Sequence, residues 1–125
     1  MIPLRYFLST VLGLALYLWC YHPWLPYSER ERSWTTSGFM VVMAGGFIGA
    51  LLLTRGARRH RYRIAAAFLA AMFAANACVI AFDWTVDPTD HNMFPFEFVL
   101  LGMLAIPAFV GAAIGGRKTK ASITP

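Results

Sequence analysis

Residues 54–63 read TRGARRHRYR, ten residues with five arginines, and they separate two long stretches without a charged side chain. On one side lies GFMVVMAGGFIGALLL (residues 38–53), and on the other IAAAFLAAMFAANACVIAF (residues 64–82). Each apolar run, with its flanks, reaches the roughly 20 residues a helix needs to cross a hydrocarbon layer of about 30 Å. The arginine segment between them is therefore the turn of a membrane hairpin.

The same alternation extends outward in both directions. An apolar stretch over residues 3–22 precedes the hairpin, with Pro3 suited to a first helical turn and Pro23 and Pro26 unable to continue it. Another covers residues 95–116 and contains Pro107. With the hairpin arms at residues 34–54 and 62–82, four spans are expected, joined by short connections. Ser33 or Thr35 is the expected cap of the second span, and Arg55-Gly56 its stop. Short links favour antiparallel neighbours, so the expected fold is all-α, an integral membrane four-helix up-and-down bundle forming one domain over residues 1–125.

Composition agrees. The chain is 58% hydrophobic and 14% charged, too little polar surface for a water-soluble domain. Its net charge of +5 does not point to nucleic acid, because the basic residues stand at span ends instead of forming one face. Arg5, the Arg55 to Arg63 turn and Arg117, Lys118 and Lys120 share one side of the threaded chain, and the acidic residues share the other. By the positive-inside rule both termini and the arginine turn face the cytoplasm, which places the protein in the cell (inner) membrane as a multi-pass chain. Arg30 and Arg32 fall on the far side, offset locally by Glu29 and Glu31. Trp19, Trp24, Trp34 and Trp84, with Tyr21 and Tyr27, fit an outer aromatic belt, and Tyr6 and Tyr62 an inner one. Trp19-Cys20 offers no small-x-small cleavage motif, so the first span reads as an uncleaved amino terminus.

Small residues spaced four apart give the expected helix contacts: Gly45 and Gly49 with Gly46 and Ala50 on the second span, Ala66, Ala70 and Ala74 and a second stripe of Ala67, Ala71 and Ala75 on the third, and Gly111 and Gly115 on the fourth. The third span is small on two sides, which leaves one face for a partner helix from a hetero- or homo-oligomer. Asn76 is expected to hydrogen-bond a neighbouring helix, and Pro107 to bend the last one. Arg55, Arg58, Arg59, Arg61 and Arg63 are placed to meet the headgroups of membrane lipids.

Chemistry is sparse. Asp87, Asp90, His91 and Glu97 in the third connection are weak candidates for a metal ion, but Asp87-Pro88-Thr89-Asp90 has the composition of a turn and Glu97 suits the first turn of a helix. Cys20 and Cys78 match no metal spacing and are expected as free thiols. His22, His60 and His91 sit at boundaries, not as a haem-ligating pair within spans, and no acidic, basic or histidine side chain lies within residues 6–21, 38–54, 64–82 or 98–116. The chain is expected to be a small non-catalytic membrane protein without cofactor, an accessory subunit packing against other helices. The alternative is a small oligomeric channel or transporter for a cation, with an acidic extracytoplasmic mouth.

Overall fold

The computed structural model describes residues 1–33, 36–91 and 94–117. Among these the chain forms five α-helices and no strand: α1 (Ile2–Tyr21), α2 (Tyr27–Ser33), α3 (Thr36–Leu53), α4 (Arg61–Val86) and α5 (Phe94–Gly115). All but α2 are long and apolar enough to cross a membrane. Trp34, the Thr35 cap, Asn92, Lys118 and Lys120 lie outside the described residues.

Local signals act where the sequence put them, with three corrections. Pro3 falls in the first turn of α1, and His22 closes that helix in a left-handed conformation (φ 49°) with its N–H on the Leu18 carbonyl at 3.2 Å. Gly56, at φ 71°, allows the chain to leave α3. The first correction is α2, a short helix in the first connection whose opening N–H groups, those of Glu29 and Arg30, bond the Pro26 carbonyl; Ser33 is the last residue of this helix. The second is that α4 passes residue 82 and stops at Val86, because Asp83 is paired inside the protein and need not leave the bundle, whereas Asp87 precedes a proline and takes an extended conformation. The third is Tyr21, which is 4% exposed and stacked on Tyr17 instead of standing in the outer belt.

One end of the bundle is basic. Arg5 donates to the Leu53 and Arg55 carbonyls, Tyr6 meets His60, and Arg61 reaches the Ala113 carbonyl, so the start of α1, the α3–α4 turn and the end of α5 lie together. These side chains take up carbonyls left unpaired where helices end. The opposite, acidic end gathers the end of α1, α2, the end of α4 and the start of α5.

Helix directions alternate, but closest packing is not between sequence neighbours. The extensive contacts join α3 with α5 and α1 with α4, both parallel pairs, while the consecutive α3 and α4 barely touch across a diagonal. Backbone approach explains this. A methyl added at Gly13 would sit 2.5 Å from the Phe68 carbonyl oxygen, and one at Gly111 or Gly115 would collide with the carbonyl of Phe47 or Leu51. Gly45 and Gly49 receive Leu16 and Leu12 of α1. Close approach of this kind is the contact that small residues on apolar helices permit. Ala71 of α4 is buried, whereas Ala66, Ala70 and Ala74 face outward. The outer surface is otherwise built of large apolar side chains such as Phe7, Met40, Ile48, Val99, Met103 and Ile106.

Candidate functional site at the acidic end

Two connections far apart in sequence, the first and the third, fold onto one another at the acidic end and bury charge. Asn76, Ile80 and Asp83 recur at helical spacing on the inward face of α4, so that the last turn of this helix presents a carboxylate to the interior. Pro23 and Pro26 shape the chain before α2 so that the Pro23 and Leu25 carbonyls accept from Arg30, at 2.9 and 2.7 Å. The same guanidinium makes a two-point contact with Asp83, Nη1 to Oδ2 and Nη2 to Oδ1, the latter at 3.1 Å. Arg30 and Asp83 side chains are only 5% and 7% exposed, and the planar fork with its added carbonyl acceptors is the arrangement that compensates for removing both charges from water. The Arg30 guanidinium also lies over the Tyr21 ring at 5.4 Å.

His91 continues the chain of contacts. It follows the Asp87-Pro88-Thr89-Asp90 turn in a left-handed conformation (φ 57°), which directs its ring inward against Tyr27, with centroids 4.2 Å apart. Nε2 lies 2.7 Å from Asp83 Oδ2 and Nδ1 lies 2.5 Å from Glu97 Oε1. The imidazole thereby links a carboxyl group of α4 to one of α5. Glu97 Oε2 then accepts from Asn76 Nδ2 at 3.4 Å, and Asn76 Oδ1 accepts from the Tyr17 hydroxyl at 2.9 Å. Arg30, Asp83, His91, Glu97, Asn76 and Tyr17 form one unbroken polar string from the acidic end into the bundle. Below Tyr17 it meets the apolar core of Phe68, Met72, Val42, Leu104 and Ala108.

The structure brings His91 and Glu97 together with Asp83 and leaves Asp87 and Asp90 outside that group. Asp87 closes its turn by accepting the Thr89 hydroxyl and N–H at 2.7 and 2.9 Å, which hold its carboxyl below the usual carboxylate range. The Asp90 carbonyl takes the Trp84 indole N–H at 2.7 Å. Among the described residues no group of three or more His, Cys, Asp or Glu side chains is arranged to hold a metal ion: the His91 nitrogens are each directed at a carboxylate, not at a common empty point. Cys20 and Cys78 are free thiols, Cys20 half-buried and Cys78 exposed.

Sequence reasoning missed Arg30, Asp83 and Tyr17. Glu29 and Glu31 flank Arg30 in sequence, yet its partner is 53 residues away. The signal for Asp83 was its position seven residues after Asn76, on the same helical face. Asp83 and Glu97 each adjoin a charge-free stretch, and both are drawn inward: α4 extends to include Asp83, and Glu97 enters the interior from the first turn of α5.

Beside this string, an open cleft of about 500 Å³ lies between the residues leading into α2 and the end of α4, with the Arg30–Asp83 pair on its wall. At the basic end, Arg55, Arg58, Arg59 and Arg63 are exposed, while Arg61 is half-buried against α5. No family model matches the chain, and neither curated proteins nor solved structures match it.

Proposed function

We propose that this chain is a small non-catalytic membrane protein that works as an accessory subunit, seating a partner helix in a larger assembly within the cell membrane. The observation that carries the reading is the outward stripe of Ala66, Ala70 and Ala74 on α4. Other small faces are taken up inside the bundle, Gly13 by α4, Gly45 and Gly49 by α1, Gly111 and Gly115 by α3, whereas this one offers a surface on which another backbone can approach closely. The basic end faces the cytoplasm in this reading, following the arginine bias of the connections. The polar string at the opposite end ties α2 and His91 to α4 and α5. Extraction in a mild detergent followed by native mass measurement tests the proposal: the protein is expected with a bound partner chain, and Ala70→Leu with Ala74→Leu is expected to release it without unfolding the bundle. Recovery of a bare monomer from the wild type refutes it.

A second reading, a cation transporter with an acidic outer mouth, draws support from the buried ionisable string, since such groups within a bilayer commonly mark a pathway. The opposite half of the bundle weighs against conduction through one chain, because α3 and α5 meet backbone to backbone there and Thr54 bonds the Ala50 carbonyl at 2.7 Å. The apolar void between Tyr17, Val42, Met72 and Leu104 is about 10 Å³, room for one water at most. Cation flux in vesicles that is abolished by Asn76→Leu would favour this second reading over the first.

A further inference from the structure

The cleft at the acidic end has a composition that the packing of the bundle does not require. Its volume of about 500 Å³ is that of a small-ligand site. Its walls combine exposed apolar and aromatic surface, Trp24 at 67%, Phe82 at 68% and Val86 at 76% exposure, with two acidic residues, Asp87 and Asp90. Among the described lining residues Arg30 is the only cation, and its guanidinium is already engaged by Asp83 and by the Pro23 and Leu25 carbonyls. The remaining charge of the cleft is therefore negative, and the two Thr89 contacts keep Asp87 ionised. Phe82 and Val86 lie at the end of a membrane-length helix, so the apolar side of the cleft opens where acyl chains begin.

We propose that this cleft binds an amine-bearing lipid, its ammonium group held between the Trp24 ring and the Asp87 and Asp90 carboxylates and its chains lying along Phe82 and Val86. Charge complementarity selects the occupant. An ammonium group gains from both an aromatic face and fixed carboxylates, and an anionic headgroup is repelled by those carboxylates and finds no uncommitted guanidinium on Arg30. The inference rests on lipid surrounding the helices and is independent of the partner-helix reading, which concerns a different face of α4.

The test uses the full chain purified in a non-ionic detergent, offered phosphatidylethanolamine and phosphatidylglycerol with identical acyl chains, with retained lipid counted by native mass measurement. Phosphatidylethanolamine is expected to be retained about tenfold over phosphatidylglycerol, the ratio a cation–aromatic contact plus two screened carboxylates supplies. Asp87→Asn with Asp90→Asn is expected to erase the preference, and Trp24→Ala to weaken it. Thermal unfolding of the same variants monitors the fold, and Asp87→Ser offers a second removal of charge should the double variant fail to fold. Equal retention of the two lipids, a preference that survives loss of both carboxylates, or displacement by free ethanolamine at the same concentration overturns the proposal, the last by assigning the site to a soluble amine.

Discussion

His91 Nε2 stands 2.7 Å from Asp83 Oδ2 in the interior of the acidic end, which places an imidazole between a carboxylate that also holds Arg30 and a second carboxylate, Glu97. The contact closes the turn after α4 back onto the helix it has just left. Four ionisable side chains thus leave water in mutual contact, an outcome far less costly than burying any of them alone.

Breaking the ion pair is expected to be the most damaging single change at this end. Asp83→Asn leaves the Arg30 guanidinium buried without a carboxylate, a loss of about 3–5 kcal/mol. Thermal or denaturant unfolding in detergent micelles measures it; a change below about 1 kcal/mol, the range of exposed pairs, would show that the pair is solvated.

The His91–Glu97 contact is expected to behave as a coupled unit. His91→Leu and Glu97→Gln each remove one side of the same contact, and the double variant should cost less than the sum of the two by about 1–3 kcal/mol. Additive single effects would mean that the two groups do not interact.

Asn76 joins two helices to α4 through one amide. Asn76→Leu strands the buried Tyr17 hydroxyl and removes the Glu97 donor, for an expected loss of about 1–2 kcal/mol, less than for Asp83→Asn. Tyr17→Phe in the Asn76→Leu background should recover part of it, because the stranded hydroxyl is then gone.

Glycines of the same type should respond oppositely according to what faces them. A methyl at Gly111 collides with the Phe47 backbone, which cannot move aside without separating α3 from α5, so Gly111→Ala is expected to lower the melting temperature clearly. At Gly102 the nearest atom is the tip of Phe73 at 4.0 Å, and Gly102→Ala is expected to be neutral or stabilising by up to about 1 kcal/mol through helix propensity.

Sidedness is testable with single cysteines in a background lacking Cys20 and Cys78. Ser28→Cys at the acidic end should react with an impermeant maleimide added to intact cells, and Arg59→Cys at the basic end only after lysis. The reverse pattern would invert the proposed orientation.

Much of the architecture was legible along the chain. The charge-free runs on either side of residues 54–63 marked two helices, Pro3 and Gly56 marked a start and a stop, and Gly45, Gly49, Gly111 and Gly115 marked surfaces of close approach, because each of these is a local property of a few neighbouring residues. The candidate site was half legible. His91 and Glu97 stood out as polar residues in the third connection, but Asp87 and Asp90 beside them had equal standing by composition, and only the turn geometry sends one pair inward and the other to the rim. Asp83 passed for a boundary residue because an unpaired aspartate would have to end a span there.

The sequence alone determined which segments are apolar enough for a membrane and how the charges divide between the two ends, since transfer from water to lipid is set residue by residue along each segment. The tertiary structure decided the rest. Helices as evenly apolar as α4 carry no amphipathic stripe to say which side turns inward, so the pairing of α1 with α4 and α3 with α5, the outward placement of Ala66, Ala70 and Ala74, and the meeting of Arg30 with Asp83 across 53 residues follow only from how the helices rotate to bring their backbones together.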